Sequence, residues 1–116
     1  MSAKSRTKAR ATRLSRETLD AMIEEATVDA YDFSEQVSGF FTMLEDHLGV
    51  PFDTTVLGVP VTVERLDLTN GGQIVALCSN ASLHQAIAIV DLPLPANPPA
   101  GVEWIEAYRS WLKSNG

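Results

Sequence analysis

Residues 52–90 read FDTTVLGVPVTVERLDLTNGGQIVALCSNASLHQAIAIV, and their pattern decides the fold class. The stretches Phe52–Leu57 and Val59–Leu66 are rich in Val, Thr and Leu, with Gly58 and Pro60 as punctuation. Val59, Val61 and Val63 alternate with Pro60, Thr62 and Glu64, a period of two that predicts a strand with one buried face. Asn70-Gly71-Gly72 is a turn signal. Gln73–Cys78 then reads as a strand, Ser79–Ser82 as a second turn and His84–Val90 as another strand. Short strands joined by tight turns within about 40 residues predict a small, strongly bent antiparallel sheet or barrel.

Upstream of this block the period lengthens. Ser15 is placed to cap a helix over 16–30, where Leu19, Met22, Ile23 and Ala26 make an apolar face and Glu17, Asp20, Glu24 and Glu25 the opposite one. Asp32 can cap a second helix over 33–48, and Glu35 can reach back to it as a capping box. Val37, Phe40, Phe41, Leu44 and Leu48 form the core stripe of that helix, which Gly49 and Pro51 end. Downstream, residues 91–101 hold Pro93, Pro95, Pro98 and Pro99 and predict a rigid, non-repetitive connection. Helical spacing returns over 102–113, with Trp104, Ile105, Tyr108, Trp111 and Leu112 on one face. The expectation is a single α+β domain over 15–116, preceded by a disordered basic tail over 1–14.

Charge is divided unevenly along the 116 residues. The net charge is −6. Residues 1–16 carry Lys4, Arg6, Lys8, Arg10, Arg13 and Arg16 without an acid, whereas residues 17–116 set fifteen acids against Arg65, Arg109 and Lys113, a net −12. A body this acidic repels nucleic-acid phosphates and invites cations or basic partners, so nucleic acid could be touched only through the tail. No run of 18 apolar residues occurs, so no membrane partner is expected. The basic start lacks the apolar segment of a secretory signal. The single cysteine, Cys78, excludes an internal disulfide and a cysteine-rich zinc site. A cytoplasmic location is the expectation.

Signs of catalysis are sparse. Cys78 and His84 could make a thiol–imidazole pair, but Cys78 sits in an apolar strand pattern where a free cysteine is usually a small core residue. His47 has Glu45 and Asp46 beside it and no second His or Cys for a zinc shell. No phosphate loop, HExxH motif or local triad signature occurs. The chain reads as a non-enzyme.

The carboxylates are more informative. Residues 17–53 contain ten acids and no Lys or Arg, although an exposed helix usually mixes signs for i,i+4 support. Asp29, Asp32 and Glu35, with Glu25, surround the junction of the two helices. Glu45, Asp46 and Asp53 surround the end of the second helix. The groups stand roughly 24 Å apart along a 16-residue helix, too far for one ion. Capping and the helix dipole account for Asp32 and Glu35. Glu45 and Asp46 face the unfavourable end of that dipole, where free carbonyls also gather. With Asp53 they predict an all-oxygen setting suited to hard Ca²⁺. No EF-hand loop is present.

Several segments carry a resemblance. Val28-Asp29-Ala30-Tyr31, Glu35-Gln36, Gly39-Phe40-Phe41-Thr42-Met43-Leu44-Glu45-Asp46 and Pro51-Phe52 resemble the non-EF-hand calcium-binding family typified by a small acidic cyanobacterial protein. The likeness covers about residues 25–57 well and the later strands in outline. It implies a helical pair packed on a small SH3-like antiparallel β-barrel, with Ca²⁺ held by surface carboxylates in a buffering or signalling role. Asp29, Glu35, Glu45 and Asp46 coincide with acids of the family pattern. Asp32 and Asp53 are acids beside them that the family pattern does not include. Phe33 and Ser34 interrupt the run of acids that the family shows after the tyrosine, and the C-terminal amphipathic helix is additional to it. The rival expectation is a protein-interaction module that offers the same acidic face to a basic partner protein. A third is that the basic arm brings an SH3-like module to nucleic acid, against which the −12 body argues.

Overall fold

Leu57 and Gly58 take φ of 52° and 79°, the left-handed pair that a two-residue hairpin requires. In the computed structural model, which describes residues 14–81 and 83–115, this turn joins β1 (Phe52–Val56) to β2 (Val59–Leu68). The turn at Thr69–Gly72 leads into β3 (Ile74–Asn80), and β4 (Leu83–Ala88) follows. The turn is closed by the Gly72 amide donating to the Thr69 carbonyl at 3.0 Å, with Gly72 at φ 84°. All neighbours are antiparallel in the order β1-β2-β3-β4.

The α+β class and the antiparallel sheet are as expected, but among the described residues the sheet does not close into a barrel and stands open, with β1 and β4 as its two edges. A barrel of four short strands would leave too little room inside for packed side chains. The helices cover one face instead. The turn expected at Ser79–Ser82 also begins later, because Ser79 and Asn80 still pair, with His84 and Leu83.

Alternation along β2 is interrupted by a bulge. Val63 pairs with Cys78 and Arg65 with Leu77, so Glu64 is the extra residue. The bulge lets Val63 and Leu66, three apart, both face inward while Glu64 and Arg65 face out. The inner face therefore presents Phe52, Val63, Leu66, Ile74, Ala76 and Cys78 to the helices. The outer face presents Asp53, Thr62, Arg65, Ser79 and His84.

Among the described residues three helices accompany the sheet: α1 (Arg16–Ala26), α2 (Phe33–His47) and α3 (Val102–Asn115). Both expected caps are made. The Ser15 hydroxyl accepts from the Thr18 amide at 3.0 Å. The Asp32 carboxylate accepts from the Glu35 amide at 2.8 Å, while Glu35 accepts from the Tyr31 and Asp32 amides at 2.6 and 3.3 Å. The first helix ends at Ala26 rather than residue 30. Gly39 of α2 crosses against the Ala26 carbonyl so closely that a Cβ there would lie 2.0 Å from the oxygen. Asp29, at φ 60°, turns the chain back. Leu14, expected in the tail, packs against the core. The expectation for residues 1–13 lies outside the described residues.

Aromatic rings join α3 to α2. Phe40 is fully buried and stands 5.1 Å from Trp111 and 5.4 Å from Tyr108, centroid to centroid. Phe33 stacks on Trp111 at 5.1 Å and His47 on Trp104 at 5.5 Å. Rings of this size bury much of the core's apolar area. The proline-rich connection delivers α3 to this place, with the Gly49 amide donating to the Ala100 carbonyl at 2.8 Å.

Candidate functional site

Asp32 and Glu35 spend one oxygen each on the capping box of α2. Asp29 stands just before that box at the exposed helix junction, in its left-handed turn. The junction is also apolar on its surface. Val28, Tyr31 and Phe33 are 66%, 85% and 50% exposed, an arrangement that sequence reading missed because only Phe33 adjoins a helical stripe.

The second group is not gathered. Glu45 and Asp46 are exposed on α2, which packs on the inner face of the sheet. Asp53 alternates with the inward Phe52 and so lies on the outer face, where its carboxylate accepts from the Thr62 hydroxyl at 2.8 Å. The free carbonyl end expected at α2 is covered as well. Gly101 sits against the His47 carbonyl, with φ 83° and room for no Cβ, since one would lie 2.1 Å from that oxygen. The N-terminal end of α3 thereby abuts the C-terminal end of α2. Among the described residues no three or more His, Cys, Asp or Glu side chains are placed together to hold a metal ion.

The remaining titratable groups are arranged for structure. Cys78 faces inward and His84, paired with Ser79 beside it, faces outward, so the two do not form a thiol–imidazole pair. Burial pushes the Cys78 thiol above its ordinary value, the reverse of activation. Arg109 is the cation whose role was not legible in the sequence. Its guanidinium donates to the Ile89 and Leu92 carbonyls at 2.8 and 2.7 Å and clasps the end of the sheet to α3. Burial lowers its pKa, and the charges of Asp91 and Glu106 pull it back up.

Among the described residues the single ion pair is Arg16–Asp20, at 2.9 Å on the surface. Nine of the ten carboxylates between residues 17 and 53 thus have no ion-pair partner there. No helix of the described residues is long and apolar enough to cross a membrane. Comparison with family models, curated proteins and solved structures finds no match.

Proposed function

We propose that this chain is a non-catalytic calcium-binding domain acting in the cytoplasm, a buffer or signalling component. The observation that carries the reading is the unneutralised acid of residues 17–53, nine exposed carboxylates, eight along the helical pair and its junction and Asp53 on β1, without an ion-pair partner among the described residues. The resemblance over residues 25–57 supports Ca²⁺ as the cation. In this reading the open meander is a relative of the SH3-like barrel. The acids do not fit a preformed all-protein cage, because no three of them converge. Binding then relies on pairs such as Glu45 with Asp46, or Asp29 with Asp32, with water filling most of the six to eight oxygen positions. Such sites belong to the weak end of the range, about 10⁻⁴–10⁻³ M.

Amide shifts of the full chain during a Ca²⁺ titration, with Mg²⁺ as control, test the reading. Saturable shifts confined to residues 29–35 or 44–54 are expected. Linear drift spread over every acid would sink it.

A second reading, a module for a basic partner protein, is favoured by one specific feature. Val28, Tyr31 and Phe33 stand exposed beside Asp29, Asp32 and Glu35, and aromatic faces bordered by carboxylates suit arginine side chains. Loss of partner capture on Tyr31→Ser, with Ca²⁺ response unchanged, separates this reading from the first.

A further inference from the structure

The two edges of the sheet are treated differently. Beside β1 runs the proline-rich connection, tied by the Thr54 hydroxyl donating to the Pro93 carbonyl at 2.7 Å. Nothing among the described residues pairs with the outer edge of β4, and Leu83, His84, Gln85 and Ala86 are all exposed. Proteins usually guard such an edge with Lys, Pro, a bulge or a covering segment. The strand LHQAIA has no Lys and no Pro, and its pairing with β3 is regular.

Its unpaired backbone groups belong to the even-numbered residues. The Ile89 amide donates to the Ile74 carbonyl at 2.9 Å, so the odd-numbered residues of β4 bond inward to β3. His84 and Ala86 then turn their N–H and C=O groups outward. Next to this edge, on the inner side of the sheet, lies an apolar groove of about 250 Å³ bordered by Val56, Leu57, Val59, Val61 and Leu83. The helices leave it open: Leu57 is 97% exposed and Leu83 71%. Among the described residues no carboxylate, Lys or Arg lines it.

We propose that β4 is a homodimer edge, on which the β4 strand of a second copy pairs antiparallel about a two-fold axis at Gln85. Self-complementarity selects this occupant. In that register His84 of each copy faces Ala86 of the other, which gives about four main-chain hydrogen bonds. Leu83 of each copy faces Ile87 of the other on the groove side, an apolar cross-strand pair. The two Gln85 amides meet at the axis and can bond one another. Charge points the same way. A body of net −12 repels a second copy over its acidic helices, and this strand and groove, without a carboxylate, Lys or Arg among the described residues, let two copies approach. The contact is isologous and closes at two. Its small extent makes it weak and concentration-dependent.

Sedimentation equilibrium of the full chain between about 10 µM and 1 mM tests the proposal, a window suited to weak contacts. The apparent mass is expected to rise from 12.6 kDa towards twice that value. Ala86→Pro removes an outward N–H and leaves the β3 ladder intact, so it is expected to hold the chain monomeric with an unchanged circular dichroism spectrum. Leu83→Lys is expected to do the same through the groove, and it serves if the proline variant fails to fold. A wild-type chain that stays monomeric throughout overturns the proposal. So does a dimer that survives both substitutions.

Discussion

Gly101→Ala is expected to be among the most damaging single-methyl additions, and its cost can be worked from two separable parts. Gly101 has φ 83°, a left-handed conformation that costs an L-residue roughly 1–2 kcal/mol. The added Cβ would lie 2.1 Å from the His47 carbonyl oxygen and 2.8 Å from the Leu48 Cα. Both neighbours are backbone at the end of α2, so relief requires α3 to withdraw from that end, at about 1–3 kcal/mol for overpacking. The sum is about 2–5 kcal/mol, or a fall in melting temperature of about 8–20 °C at about 4 °C per kcal/mol for a domain of this size. Two other glycines divide the parts. Gly58→Ala, at φ 79° with nothing within 4 Å, is expected to show only the conformational cost. Gly39→Ala, whose Cβ would meet the Ala26 carbonyl oxygen at 2.0 Å, is expected to show the steric cost, offset by about 1 kcal/mol, the amount by which Ala is favoured over Gly in a helix interior. Urea unfolding followed by tryptophan fluorescence reads all three. A Gly101→Ala variant within about 0.5 kcal/mol of wild type would refute the packing of α3 against α2.

Other perturbations have definite expected outcomes. Phe40→Ala removes the ring between Tyr108 and Trp111 and is expected to cost about 3–5 kcal/mol in urea unfolding. Arg109→Met leaves the Ile89 and Leu92 carbonyls without their donor; a loss of about 1–3 kcal/mol is expected by the same assay. Asp32→Ala opens the capping box of α2 and is expected to cost about 1 kcal/mol, read as a lower melting temperature. The thiol of Cys78 and the phenol of Tyr108 both have pKa values raised by burial. Unfolded chains release those protons first, so stability is expected to be full below about pH 9 and to decline as pH rises above the ordinary thiol value of 9.0. Urea midpoints between pH 8 and 11 measure the decline.

What the sequence made legible is what short-range physics controls. Ser15 and the Asp32–Glu35 box marked two helix starts because a side chain and a backbone amide three residues on suffice to make them. Asn70-Gly71-Gly72 marked a turn for the same local reason, and Gly58 punctuated the strands on either side of it. The early end of α1 was hidden, because it depends on Gly39 meeting Ala26 across the helix crossing. Openness of the sheet was hidden too, since it depends on whether β1 and β4 find each other. The acidic group at the end of α2 failed as a convergent site through register: Phe52 turns inward, and Asp53 is therefore carried to the outer face. Gly101 was equally silent, because its meaning lies in a contact with His47 more than fifty residues away.

The calcium reading is tested most directly by counting ions. Equilibrium dialysis of the full chain against about 1 mM free Ca²⁺, the weak end of protein sites, with Mg²⁺ in excess and physiological salt to screen diffuse attraction, measures how many ions each chain retains. Retention approaching one Ca²⁺ per chain, lowered by Asp29→Asn with Asp32→Asn or by Glu45→Gln with Asp46→Asn, is the result expected. Retention of none under those conditions would contradict it.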